Sequence, residues 1–202
     1  MRQLLLDFTR APEPTFENFV PGGNGELLHG LDAAVSGRPA ERVMYLWGES
    51  GAGKTHLAQA FGRAVEGRRG VRVVDGAEAL DEAAQAELFN AFVDRQFSFL
   101  LATARCAPRD LPLRRDLATR LASGLTYRVL PLSDEQKRDA LAAHARTRGF
   151  ELSEDVASYL LTHARRDMGS LMSALDAIDR YSLENRRPVT VPLLKAAMQG
   201  AA

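Results

Sequence analysis

The stretch RVMYLWGESGAGKTHL, residues 42–57, decides the fold. Arg42 to Trp47 is a short apolar and aromatic run of strand type, and Gly48, Glu49, Ser50, Gly51, Ala52, Gly53, Lys54 and Thr55 fit the phosphate-loop pattern G-x-x-x-x-G-K-S/T in full. A helical pattern follows from His56 to about Val65. Glycines let backbone N–H groups turn inward around phosphates, and the following helix presents its N-terminus to their charge. Lys54 and Thr55 are spaced to reach the β/γ-phosphates and Mg²⁺. A glycine-rich turn arising by chance lacks the strand before it and the helix after it.

Outward from this motif, VRVVD (71–75), SFLLATA (98–104) and TYRVL (126–130) are further strand candidates, each separated from the last by a helix-like stretch. Strands alternating with helices predict an α/β fold with a parallel sheet and crossover helices. Ahead of the first strand, Leu27, Leu28, Leu31, Ala34 and Val35 recur at the spacing of one helical face. After Leu132 the pattern is helical only. Ser133 with Gln136 forms a capping-box start for a helix to about Arg148, where Gly149 is the stop. Ser153 starts a second helix ending near Ala164, Asp167 caps a third to about Leu183, and a short last helix follows Pro192. TRAPEPT (9–15) holds two prolines and no periodicity, as a linker does. The expected organisation is a head peptide and linker at 1–14, a nucleotide-binding α/β core at 15–131 and a small helical lid domain at 132–202.

The 202 residues are 46% apolar and 26% charged, with 26 basic side chains against 26 acidic ones. This balance argues against a protein that coats nucleic acid by neutralising phosphates, which needs a clearly basic chain or face. A chain of this length buries roughly 70% of its unfolded surface and needs no crosslink to hold a core. The single cysteine, Cys106, forms no internal disulfide and fits a reducing compartment. The start, MRQLLLDFTRAPEP, has an apolar core too short and too soon acidic for a signal peptide, and no stretch approaches the ~18 apolar residues of a membrane span. A cytoplasmic location without membrane contact is therefore expected. His29, His56, His144 and His163 are scattered, so no metal site made by protein alone is expected. All but Lys54, Lys137 and Lys195 of the basic residues are Arg, and arginine pairs carry little weight by themselves.

A phosphate loop needs an acid at the end of a neighbouring strand, and VRVVD supplies Asp75, placed to order Mg²⁺ through water. Asp is also ordinary in turns, so an acid that merely ends a strand is the competing reading. The next residue is Gly76, where a second carboxylate would polarise attacking water, and Glu78 is offset by three.

The order of these motifs resembles the AAA+ ATPases, and within them the DnaA-related proteins and their shortened Hda type, regulatory inactivators of the replication initiator DnaA. The resemblance covers nearly the whole chain. TFENFVPGGN (15–24) is similar to the family's nucleotide-base segment, which implies that Phe19 and Val20 bind nucleotide together with the loop through His56. DLATRLASGL (116–125) resembles the box that carries the arginine finger, which makes Arg120 that finger. LPLSDEQKRDALAAHARTRGFEL (130–152) and RRDMGSLMSALDAIDR (165–180) resemble the Hda lid. The resemblance implies an AAA+ core with a lid, ADP or ATP with Mg as cofactor, and DnaA as partner.

Departures from that family are equally informative. Between Thr55 and Asp75 there is room for one helix and a loop only, so the sheet is expected to be trimmed to four parallel strands. The Asp75 strand then falls at an open edge, with Arg68, Arg69 and Arg72 to blunt it. Gly76 replaces the second acid, Arg105 takes the place of the acidic sensor residue beside Thr103, and Gly169 falls where DnaA-like lids carry a nucleotide-sensing Arg. Arg165 and Arg166 lie nearby as substitutes. Without a residue to position water, hydrolysis in cis is expected to be slow, since phosphoryl transfer depends on positioning and charge stabilisation. Arg120 can still be supplied to another subunit's nucleotide, because its planar charge meets charge developing on the γ-phosphate.

Gln3-Leu4-Leu5-Leu6-Asp7-Phe8 has the form Q-x-x-L-x-F, which resembles peptides that dock on the bacterial DNA polymerase sliding clamp. Leu6 and Phe8 are suited to apolar pockets and Gln3 to polar contacts; an N-terminal strand packed on the body is the alternative. DNA is then expected to be met indirectly, through the clamp, and a homo-oligomer is a further candidate assembly. A small-molecule kinase usually carries its acceptor site in an insertion this chain has no length for, and a DNA-binding initiator needs a further helix-turn-helix domain. The expected function is clamp-dependent inactivation of DnaA. A self-oligomerising P-loop ATPase and a DnaA-like replication factor are the alternatives.

Overall fold

A computed structural model describes residues 13–199. Residues 14–131 form one compact unit, and the chain from Leu132 onward belongs to a second.

The first unit holds α1 (Gly25–Val35), β1 (Val43–Trp47), α2 (Lys54–Ala64), β2 (Val71–Val74), α3 (Glu82–Val93), β3 (Phe99–Ala104), α4 (Arg115–Ala122) and β4 (Leu125–Arg128). The strands pair in the order β2-β3-β1-β4, and every pairing is parallel. β1 and β3 occupy the middle, and their apolar runs are buried on both faces, as a parallel sheet covered by crossover helices requires. Side chains alternate between the faces. Met44, Leu46 and Leu101 meet Leu27, Leu31, Leu57 and Phe61 of α1 and α2 on one side. Tyr45, Leu100 and Ala102 meet Leu88, Leu117 and Leu121 of α3 and α4 on the other.

The sheet has the four parallel strands expected of a trimmed chain, with β2 at an edge. Arg72 lies on that edge strand and its guanidinium reaches Glu87 of α3 at 2.6 Å, placing charge over the end of the sheet. β4 is one residue earlier than the sequence pattern, yet the ladder continues past it because the Val129 N–H donates to the Trp47 carbonyl at 2.7 Å.

In the second unit, α5 (Asp134–Thr147), α6 (Glu154–His163), α7 (Met168–Asn185) and α8 (Val191–Gln199) surround Leu141, Val156, Leu160, Leu171, Leu175, Ile178 and Leu194. The capping box forms as the sequence indicates: the Gln136 N–H donates to the Ser133 hydroxyl, and Ser133 N–H donates to the Gln136 side chain. Asp167 caps α7 by accepting from the Ser170 N–H at 2.9 Å. α7 runs two residues beyond the expected Leu183 and stops at Arg186, which adopts a left-handed conformation. α8 starts at Val191, so Pro192 lies inside its first turn instead of before it.

Gly124, between α4 and β4, is fixed by space: a Cβ there would lie 2.0 Å from the Val43 carbonyl oxygen. Gly62, inside α2, has nothing within 4 Å of the same atom. Gly124→Ala is expected to destabilise the protein by about 2 kcal/mol or more, since backbone must move. Gly62→Ala is expected to stabilise it by about 0.5–1 kcal/mol through helix propensity. Chemical denaturation of the two variants checks both signs.

Candidate functional site

The phosphate loop joins β1 to α2. A Cβ on Gly48 would lie 2.6 Å from the Val129 carbonyl oxygen, so the loop leaves the sheet pressed against the strand beside it. Gly53 has φ +102, a conformation that side chains with a Cβ rarely adopt, and it hands the chain to Lys54 as the first residue of α2. No side chain caps this helix, which leaves the N–H groups of its first turn pointing out of the loop. Lys54 is only 9% exposed, and its ammonium donates to the carbonyls of Gly48 at 2.7 Å and Glu49 at 2.8 Å. Burial pushes the Lys54 pKa below its ordinary value; the Glu78 and Asp75 carboxylates oppose that shift and the Arg105 guanidinium adds to it. Ser50 and Thr55 are exposed, and Glu49 faces Arg128 at 3.5 Å.

The segment before α1 folds onto this loop. His56 makes a 2.8 Å hydrogen bond with the Thr15 carbonyl, and the Phe19 and His56 rings lie 5.4 Å apart. Phe19 also touches the loop itself, since its Cε2 stands 2.7 Å from where a Gly53 Cβ would be. Val20 follows, half-buried. Asn24 fixes the far end of the segment. Its amide donates to the carbonyls of Pro21 and Leu130, both at 3.0 Å, and accepts from the Leu130 N–H at 2.8 Å. Sequence reading missed this peg, whose only signal is an Asn at the start of a helix that it does not cap.

Asp75 follows the last residue of β2. Thr103, 1% exposed on β3, donates its hydroxyl to Asp75 Oδ1 at 2.5 Å and accepts from the Gly76 N–H at 3.0 Å. The carboxylate is thus aimed by the neighbouring strand. Gly76 has φ +73, so the missing second acid is tied to a turn that a glutamate enters only under strain. That turn delivers Glu78 instead, with Oε1 at 3.4 Å from Arg105 Nε and Oε2 buried without a hydrogen-bond partner among the described residues. Register pairs Trp47 with Ala104, so Gly48 and Arg105 leave the sheet side by side. The Tyr45 hydroxyl donates to the Cys106 carbonyl at 2.9 Å and holds the chain where it leaves β3. Burial pushes the Tyr45 phenol well above its ordinary range.

Arg120 is not part of this group. It projects from α4 with its guanidinium over the rings of Phe89, at 5.1 Å, and Phe92, at 6.0 Å. Arg114 covers Phe89 as well, at 5.3 Å. Gln85, 8% exposed on α3, links two segments: it donates to the Leu80 carbonyl at 2.9 Å and accepts from the Arg114 N–H at 3.0 Å. In the helical unit, Gly169 sits in the first turn of α7. Arg166 is tied to Asp134 at 2.8 Å and Arg165 leans on Asp167 at 3.6 Å. Gln3, Leu6 and Phe8 lie outside the described residues. Among the described residues no three His, Cys, Asp or Glu are grouped as metal ligands, and no helix is long and apolar enough to cross a membrane.

Comparison with known proteins identifies both units. Residues 11–78 match the family described as the bacterial DnaA ATPase domain, and residues 134–198 match the family described as Hda, lid domain. Domain III of the replication initiation protein DnaA from Thermotoga maritima superposes with a TM-score of 0.72 at 20% identity, covering 95% of this chain and 98% of that one. AMPPCP-bound DnaA from Aquifex aeolicus gives 0.65 at 18% identity, with 87% and 70% covered. The RuvB Holliday junction branch migration motor of Thermotoga maritima gives 0.67 at 17% identity, with 94% and 72% covered. The structural likenesses are matches of fold, whereas the two family matches follow one another along the chain on an AAA+ sheet. The chain therefore belongs to the DnaA-related AAA+ proteins of the Hda type.

Proposed function

We propose that this protein is a nucleotide-bound regulator that inactivates the replication initiator DnaA by stimulating hydrolysis of DnaA-bound ATP in trans, negatively regulating the start of DNA replication. The observation that carries this reading is the separation of two parts: a built phosphate loop without a second acid, and an arginine displayed on another helix.

The residues of the loop fit an adenine nucleotide. The open N–H groups of α2 and the buried Lys54 ammonium suit a phosphate chain, and Phe19 and Val20 stand on the side where the base segment folds back. A relative of this fold, the Aquifex DnaA, is bound to AMPPCP. Mg²⁺ brought with the nucleotide would neutralise phosphate charge, held by the Thr55 hydroxyl and by Asp75 as Thr103 aims it. With Gly76 next to Asp75 and Glu78 turned to Arg105, no second carboxylate adjoins Asp75 to position a water, and turnover in cis is slow. The bound nucleotide then serves to hold the loop and the segment carrying Phe19 in one arrangement.

Arg120 acts on a partner's nucleotide. The Arg120 guanidinium lies over Phe89 and Phe92, and its N–H groups are the donors that would meet phosphate oxygens. Such fingers are worth about 10³ to 10⁵ in rate in GTPases. Docking of Gln3, Leu6 and Phe8 on the sliding clamp brings the protein to DNA indirectly and concentrates it beside the initiator.

Three measurements test this reading. Lys54→Ala is expected to lose calorimetric binding of ADP and ATP by about 100-fold or more without unfolding the chain, since the charge-assisted contact to phosphate is removed. Arg120→Ala is expected to lower clamp-dependent hydrolysis of DnaA-bound ATP about 100-fold or more at unchanged nucleotide affinity, with Arg120→Lys nearly as low. Full stimulation by the Ala variant overturns the finger, and loss of self-association instead of stimulation favours a self-oligomerising ATPase. Replacing Gln3 and Phe8 together by Ala is expected to abolish co-elution with purified clamp in gel filtration; equal co-elution shows that the segment is structural.

A further inference from the structure

Asn24 is 3% exposed and stands at the start of α1, where an asparagine side chain ordinarily accepts from the first turn, yet it makes no such cap. Its amide is spent elsewhere. The nitrogen donates to the Pro21 and Leu130 carbonyls, and the oxygen accepts from the Leu130 N–H. Only this orientation satisfies the group, since the flipped amide would turn its oxygen to two carbonyls. The backbone N–H of Asn24 goes to the Pro21 carbonyl as well, at 2.9 Å. One residue thus holds Pro21, the neighbour of Val20, through two donors.

Leu130 uses this side chain in place of a strand. β4 ends at Arg128, and Val129 still pairs with β1 through its N–H on the Trp47 carbonyl. One residue on, both the donor and the acceptor of the Leu130 backbone are taken by Asn24. The Val129 carbonyl oxygen stands 2.6 Å from where a Gly48 Cβ would be, and Leu130 Cδ1 stands 3.0 Å from where a Gly23 Cβ would be. Residues 129 and 130 are therefore gripped by the root of the phosphate loop and by the base segment at once. The opposite end of that segment is pinned by His56, through the Thr15 carbonyl.

We propose that Asn24 is a positioning residue for the nucleotide base, and that base binding and the Asn24–Leu130 hydrogen bonds strengthen one another. This rests on nucleotide binding at the loop, with the base against Phe19 and Val20. Phosphates need the loop, Lys54 and the first turn of α2, and the Asn24 amide bonds to none of these. The base needs the segment in one place. With Asn24 released, the segment keeps only its Thr15 end and the Phe19 contact with Gly53. Coupling between two equilibria is reciprocal, so whatever the peg adds to base affinity the bound base returns to the peg, 106 residues away along the chain at Leu130.

Calorimetry with ADP and with inorganic pyrophosphate, each with Mg²⁺, separates base from phosphates. Asn24→Ala is expected to weaken ADP about tenfold and pyrophosphate less than about threefold. Asn24→Asp keeps the shape and the acceptor but sets an oxygen against two carbonyls, and is expected to weaken ADP at least as much. Equal losses for the two ligands in a variant that still unfolds cooperatively, or full ADP affinity in Asn24→Ala, overturn the proposal. The wild-type protein supplies a second measurement. ADP is expected to slow hydrogen exchange of the Leu130 amide about tenfold, and pyrophosphate to change it less than about threefold. Equal slowing by both ligands, or none by ADP, overturns the linkage. Absence of binding of either ligand by the wild-type protein overturns the nucleotide reading itself, and this inference with it.

Discussion

Everything functional in the first unit hangs on the parallel pairing of β1 with its neighbours. Parallel strands send all their carboxyl ends out of the same edge, and register decides which residues leave together. Here Trp47 lies beside Ala104 on one side and Arg128 on the other. The phosphate loop, the Arg105 turn and the chain beyond β4 therefore emerge as neighbours. A slip of one residue between β1 and β4 would reverse which face each side chain meets and would separate Gly48 from Val129. Gly48 and Gly124 forbid a slip between β1 and β4, because only a residue without a Cβ fits against the Val129 and Val43 carbonyls.

The trimmed sheet has an energetic side. A four-stranded sheet leaves β2, and with it Asp75, on an edge where backbone groups are open to water and every β2 residue is only half-buried. Precision at Asp75 cannot then come from burial. It comes from Thr103, which sits on a fully buried strand and reaches across to both the Asp75 carboxylate and the Gly76 N–H. A buried hydroxyl with donor and acceptor both used is a rigid reference point. The edge strand borrows its order from its neighbour.

The fold was legible in the sequence because its signals are local. The loop pattern, the strand–helix alternation, the Ser133–Gln136 box and the Asp167 cap each lie within a few residues, and the missing length between Thr55 and Asp75 is enough to give four strands and an edge position for β2. What escaped is long-range. In sequence Asn24 is only the last residue of TFENFVPGGN, but its amide is spent on Leu130, more than a hundred residues away. Gln85 sits in an amphipathic helix like any polar residue, and its burial follows from two backbone groups brought to it by separate loops. Glu78 was visible as an acid offset by three, but its proximity to Lys54 and Arg105 depends on the turn at Gly76. The helix boundaries at Leu183 and Pro192 shifted by a residue or two because ends are set by capping geometry, which composition specifies weakly.

The Gln85 bridge has a geometric consequence for the arginine on α4. It clamps the Arg114 N–H at the threshold of the helix, so Arg120 stands six residues beyond a fixed point, about 9 Å along the axis at helical rise. α4 is thus an arm of set length and set phase. Each residue inserted or removed between the clamp and Arg120 would turn the guanidinium by about 100° around the helix and carry it off the Phe89 ring. Chain length along this arm tolerates no drift, whereas the outward-facing residues of the same stretch are free to vary in kind.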